Sequence, residues 1–325
     1  MKKILQFIAL FLTFSASAQF SKTHYIPPVS NSPIQAGQGQ YMYISCPSPT
    51  PVNFKINIIG GGVVEGTVTR DQPYVYLAGN GDNSQFLIPS GSVGSVFSDK
   101  GFIVEADDQV YVTVRMTTTP QNFQAGSVVS KGLAALGKRF RVGAFVNETV
   151  PEFTQNHYSF ATVMATENNT TVSFNDIDIG VQLVNNGSSI QPDVVLNRGE
   201  SFCIATIGPL DANRNGIIGT LITSDKPIAV NCGSIAGTNG NASNLDLGFD
   251  QLVPAELTGS EYILIRGIGP DIVERPLIVA DQDNTEVFLN DDQVTPVAVI
   301  NAGDYYAPTG DVYSSNGNLY IRTSK

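Results

Sequence analysis

The residues best suited to chemistry are Asp211-Ala212-Asn213-Arg214-Asn215-Gly216. They fit the Asp-x-Asn-x-Asn-Gly start of a calcium loop. Side-chain oxygens at alternating positions suit a hard cation, and the Gly permits the sharp turn. Asp211, Asn213 and Asn215 are therefore the candidate metal ligands, and calcium is the candidate cofactor. The twelfth position of such a loop is Ile222, where a bidentate Glu is expected. The same residue types also build ordinary Asx turns, so both readings stay open. Acidic turns at Asp107-Asp108, Asp281-Gln282-Asp283 and Asp291-Asp292 are weaker candidates.

Other chemistry finds little support. The two histidines, His24 and His157, have no partner at metal-ligand spacing. There is no Gly-x-Ser-x-Gly elbow. Gly60-Gly61-Gly62 follows an apolar pair as a phosphate loop would. It lacks the Gly-Lys-Ser/Thr end and a following helix, so a hairpin turn fits better. Carboxylates are numerous, and two could meet across a cleft as in glycosidases, but no pair stands out. Cys46, Cys203 and Cys232 are an odd set, which rules out complete intrachain pairing. Cys203 and Cys232 can bridge if their strands are neighbours; otherwise they are small buried apolar residues. No catalytic residue is assigned, and the chain reads as a non-enzyme.

The elements that must position these residues are repeated. Gly101-Phe102-Ile103-Val104-Glu105-Ala106-Asp107-Asp108-Gln109-Val110-Tyr111-Val112 aligns without gaps to Gly219 through Val230. Each copy reads as two short apolar strands joined by an acidic turn. Tyr320 through Lys325 matches Leu221 through Lys226, so the chain is expected to end inside a third copy, with an edge unpaired. Other landmarks recur in order. Tyr41-Met42-Tyr43-Ile44, Phe140-Arg141-Val142 and Tyr262-Ile263-Leu264-Ile265 form one set. Thr171-Val172-Ser173-Phe174-Asn175 and Thr285 through Asn290 form another, echoed at Phe54 through Ile58. A fixed order of landmarks means one unit copied. Helical periodicity is absent and turn signals are dense, which predicts an all-β fold of repeated antiparallel modules. The spacing suits sandwich-like units, with a propeller-like arrangement as the alternative.

The organisation then reads as follows. Residues 1–18 are a signal peptide, with Lys2 and Lys3, an apolar run from Ile4 to Phe14, and Ala16-Ser17-Ala18 at the cleavage site. Residues 19–36 are a leader, 37–125 module 1, 126–258 module 2 and 259–325 module 3. Gly233 to Gly248 reads as a long Gly-, Asn- and Ser-rich loop facing a ligand. No later segment is long and apolar enough to span a bilayer. The net charge of −11 argues against nucleic acid, whose phosphates need Lys and Arg.

Gly219-Thr220-Leu221-Ile222-Thr223-Ser224-Asp225-Lys226-Pro227-Ile228-Ala229-Val230 resembles the signature of the IgGFc-binding protein N-terminal domain family. Asp250-Gln251-Leu252-Val253-Pro254 and the segments from Tyr262 to Val287 continue the likeness, over roughly residues 130–325. The resemblance implies an adhesive or matrix-like module of a large exported protein. With this signal peptide it is similar to Bacteroidota surface proteins tied to gliding motility or type IX secretion. It carries no ligand-contacting residues and does not imply antibody Fc binding. The expected partner is an extracellular protein or a glycan. A secreted carbohydrate-active enzyme and a structural spacer are the other readings. The absence of Trp counts against the enzyme, because sugar subsites favour large aromatic platforms.

Overall fold

The computed structural model describes residues 19–33, 37–118, 124–149, 154–239 and 245–325. Nearly every element is a strand, and pairing is antiparallel except between two residue pairs, Val29–Ser30 and Leu87–Ile88. The described helices are single turns, among them α1 (Asp211–Asn215) and α2 (Asp271–Glu274). The expected all-β, antiparallel fold is what the chain adopts.

The first module holds β1 (Ser21–Ile26), β2 (Val29–Ser30), β3 (Gly37–Ser45), β4 (Val52–Ile58), β5 (Val63–Val68), β6 (Tyr74–Gly79), β7 (Leu87–Ile88), β8 (Val96–Phe97), β9 (Phe102–Thr118) and β10 (Ala125–Val129). Its axis is β9, a single 17-residue strand. The first half of β9 pairs with β1 and β4, and the second half with β3 and β10. Strand β5 extends β4, and β6 extends β3. One long strand thus belongs to two half-sheets. Val110, Val112, Val114 and Met116 face the core at alternate positions, as the two-residue period of a strand requires.

The two halves of β9 meet at a bulge. One residue of β1, between Ser21 and Thr23, lies opposite four of β9, between Glu105 and Val110. Those four include Asp107, Asp108 and Gln109, the acidic turn of the sequence. The segment is therefore one continuous strand with an irregular middle, not two strands and a turn. A bulge leaves backbone unpaired and bends the strand, so polar residues are favoured there.

The second module repeats this plan with β11 (Gly137–Arg141), β12 (Tyr158–Ala165), β13 (Thr170–Asn175), β14 (Gln191–Leu196), β15 (Ser201–Ile207), β16 (Leu221–Gly237) and β17 (Asp246–Gln251). Strand β16 is again 17 residues long, and β11 skips four of its residues between Thr223 and Ile228. That bulge contains Pro227. A proline cannot donate to a ladder, so a bulge is one of the few places a sheet interior accepts it. The gapless alignment of the two blocks holds residue for residue in the strand register.

The third module holds β18 (Glu261–Ile265), β19 (Ile278–Val279), β20 (Thr285–Leu289), β21 (Ala298–Ile300), β22 (Tyr305–Tyr306) and β23 (Asn318–Thr323). It repeats several hydrogen bonds of module 2. Thr170 Oγ1 donates to Glu167 O at 2.8 Å, and Thr285 Oγ1 to Gln282 O at 2.7 Å. Gly199 N donates to Ala165 O at 2.8 Å, and Gly303 N to Ala280 O at 2.9 Å. Ser224 Oγ donates to Lys226 O at 2.7 Å, and Thr323 Oγ1 to Lys325 O at 2.8 Å.

Three sequence expectations need correction. The supposed leader contains β1, the first strand of module 1 and the counterpart of β11 and β18. Its polar residues conceal it: Ser21 and His24 are buried, and His24 bonds to Ser130 Oγ at 3.0 Å and to the carbonyls of Ser21 and Val110, each at 3.1 Å. It follows that Tyr41 to Ile44 lies on β3, the counterpart of β12, and not of Phe140 to Val142. The supposed loop from Gly233 to Gly248 is strand at both ends, because β16 runs to Gly237 and β17 begins at Asp246. Its tip, residues 240–244, lies outside the described residues.

One core cluster crosses from module 1 into module 2, and module 2 holds a second of its own around Val163, Phe174 and Ile222. Ile26, Val29, Phe86, Leu87 and Ile88 of module 1 cluster with Tyr158, Phe160, Cys203 and Ala205 of module 2. Strand β8 adds to the edge of β15. Polar ties reinforce the seam: Asn231 Nδ2 donates to Pro27 O at 2.7 Å, and Gln251 Nε2 to Tyr25 O at 2.8 Å. Module 3 has its own small core around Val287, Leu319 and Ile321.

Candidate functional site

The candidate calcium ligands sit on one helical turn, α1, with each side chain engaged elsewhere. The Asp211 side chain is 90% exposed and pairs with Arg214. Asn213 is buried; its Oδ1 accepts from Gln182 N at 2.7 Å, and its Nδ2 donates to the carbonyls of Gln182 and Ile207. Asn215 Oδ1 accepts from Asn147 N at 2.8 Å. In helical geometry, alternate residues face different directions. The two Asn carbonyls therefore tie the turn to neighbouring segments and do not converge with Asp211. Among the described residues, no group of three or more His, Cys, Asp or Glu is placed to hold a metal.

The other reactive groups are occupied or enclosed. Burial and the Arg214 charge lower His157 to about 4, and burial chiefly lowers His24. Neither imidazole is poised for proton transfer near neutrality. The three cysteines are free and buried. Cys203 and Cys232 lie on β15 and β16, which are separated by β12, so their strands are not neighbours. Burial pushes both thiols up to about 12. Gly60 to Gly62 form the β4–β5 hairpin turn, with Ile58 N donating to Gly62 O at 3.0 Å.

Carboxylates do gather in one open groove, at Glu65, Glu105 and Asp107. Each is matched by a basic or amide group. Lys55 meets Glu65 at 2.7 Å, Arg198 meets Glu105 at 3.5 Å, and Asn53 Nδ2 donates to Asp107 Oδ2 at 2.7 Å. The groove is thus a set of exposed pairs.

What remains open is apolar surface, and the repeat shows where. A groove of about 700 Å³ lies where module 2 meets module 3, lined by Leu252 and Val253 on one side and Leu264, Leu277, Val279 and Ile321 on the other. In modules 1 and 2, the counterparts of β19 have strands on both sides: β3 lies between β6 and β9, and β12 between β15 and β16. Among the described residues, β19 pairs only with β22, and the groove runs along its other side. Nearby, Asp281 accepts from Arg139 Nη2 at 2.8 Å and from Arg141 Nε at 3.0 Å, which anchors module 3 to module 2.

A second open surface covers the outer face of β3, β6, β9 and β10. Tyr41, Tyr43, Leu77 and Arg115 line a depression of about 830 Å³ there. Both surfaces escaped the sequence reading, because alternating Tyr, Val and Leu residues look the same whether the second face of a sheet is covered or open.

A family model described as IgGFc binding protein matches residues 125–325. The match begins at β10 and takes in modules 2 and 3. Module 1, outside it but for β10, follows the same strand plan. No curated protein matches the chain.

Proposed function

The chain belongs to the IgGFc binding protein family, and from that membership we propose that it is a non-catalytic, extracellular binding and adhesion module whose ligand is a protein. The observation that carries this reading is the groove beside β19, which lies within the family-matched residues. It is lined by apolar side chains from both modules. An exposed apolar surface of this kind marks a site for a protein partner. The basic start, apolar run and small-residue site in residues 1–18 support export, and no described helix is long and apolar enough to cross a membrane. The likeness to Bacteroidota surface proteins of the gliding-motility and type IX secretion class belongs to the same proposal. Surface display would put the groove in reach of extracellular partners.

The test is a binding panel of extracellular glycoproteins, each presented intact and after enzymatic deglycosylation. Saturable binding that survives deglycosylation, and is lost in Leu277→Asp, is the expected result. Binding lost on deglycosylation would point to a carbohydrate ligand. Release of sugar from the panel would restore the enzyme reading. No saturable binding to any member would leave a spacer.

A further inference from the structure

We infer that this protein self-associates head to tail, with the outer sheet face of module 1 receiving the free face of module 3 from a second copy. The argument starts from the seam between modules 1 and 2. There module 1 contributes one face of its β1–β9 half-sheet: Tyr25, Pro27, Ile103 and Glu105. Module 2 contributes the outer face of β12, β15 and β16. Tyr25 and Ile103 cluster with Met164 and Ala229. Arg198 lies over the Tyr25 ring at 5.9 Å and pairs with Glu105. The second seam uses the same positions. Arg141, the register counterpart of Tyr25, meets Asp281 of module 3.

Each seam therefore joins the tail face of one module to the head face of the next, and modules 1 and 3 each leave one such face exposed. Tyr41 and Tyr43 occupy the register positions of Phe160 and Thr162, and Val75 and Leu77 those of Cys203 and Ala205. In module 2 these four positions are buried by module 1. In module 1 they are open: Tyr41 is 40% and Leu77 55% exposed. At the other end, Ile263 takes the position of Tyr25 and Arg141, opposite Tyr320. Ile263 is 68% and Ile265 76% exposed. Both faces match interface composition, with Tyr, aliphatics and Arg prominent. The head carries the exposed Arg115 and the tail the exposed Glu261, which makes their charges complementary. A head-to-tail contact is heterologous, so it propagates instead of closing on a dimer.

The occupant proposed is a second copy of this chain, and complementary variants test it. Leu77→Asp spoils the head and leaves the tail, while Ile263→Asp spoils the tail and leaves the head. Both positions are solvent-facing, so each variant should keep the wild-type circular dichroism and melting temperature. In sedimentation velocity the wild type should grow in mass with concentration past the dimer. Each variant alone should stay monomeric, and an equal mixture of the two should form a dimer and go no further. A monomeric wild type at every concentration would overturn the inference. So would a wild type that stops at dimers, or a mixture that fails to pair, since both indicate a symmetric contact. Neither substitution touches the groove beside β19, so the glycoprotein panel reads the ligand proposal independently of this one.

Discussion

Phe160→Ala asks whether modules 1 and 2 unfold as one body. Phe160 is fully buried on β12, in the cluster that also holds Ile26, Val29, Phe86, Leu87 and Ile88 of module 1. Its ring meets Phe249 with centroids 6.5 Å apart. Removing a buried Phe side chain costs ~3–5 kcal/mol, the lost transfer energy plus the cavity left behind. At about 1.4 kcal/mol per factor of ten, that is roughly two to three and a half decades in the opening equilibrium. Amide hydrogen exchange followed by mass spectrometry reads this segment by segment. The slowest-exchanging amides of β3, β4 and β9 should accelerate along with those of β12, β13 and β16. Ile321→Ala, in the separate core of module 3, is the control. It should cost ~2–5 kcal/mol and act on β18 to β23. If Phe160→Ala accelerates only β11 to β17, the shared cluster does not couple the modules, and the reasoning from core continuity is wrong.

Two further outcomes follow from the site geometry. Melting in a chelator and in millimolar calcium should coincide, because the Asn213 and Asn215 carbonyls already accept backbone N–H groups, and Asp211→Ala should cost less than about 1 kcal/mol for its exposed pair with Arg214; a calcium-dependent rise that disappears in Asp211→Ala would reinstate the cation loop. Stability should fall as the pH drops from about 6.5 towards about 4, because the unfolded chain takes up a proton on His157 in that window and the folded chain does not. Urea midpoints across the window should show a flatter slope for His157→Gln, and an unchanged slope would shift the effect to other groups.

The repeat was legible because β9 and β16 carry their pattern in apolar residues at alternate positions, and because the bulge keeps its length in both copies. Thr285 to Asn290 and Tyr320 to Lys325 were placed correctly for the same reason. The phase of module 1 was misread. Tyr41-Met42-Tyr43-Ile44 has the aromatic, aliphatic composition of Tyr262 to Ile265, yet it lies one strand later in the plan. The true counterpart, β1, buries Ser21 and His24 through hydrogen bonds that composition does not reveal. The strands around Gly237 and Gly248 were hidden by glycines, which are there because the Phe145 ring lies where a Cβ would point at each. At the Asp211 turn the motif gives the order of oxygens but not the backbone that aims them.

The long strands also carry a mechanical meaning. An extracellular binding module that holds a partner comes under tension when the two are pulled apart. When load enters a strand such as β9 along its length, the ladders to β1 and β4 on one half, and to β3 and β10 on the other, resist in parallel. Their antiparallel hydrogen bonds lie across the strand, so the load shears many of them together and does not peel them one at a time. The bulge at Asp107 to Gln109 is a stretch of that rod with no ladder partner among the described strands. Under pull it would straighten first, lending the module a few ångströms of give before either half-sheet begins to slip.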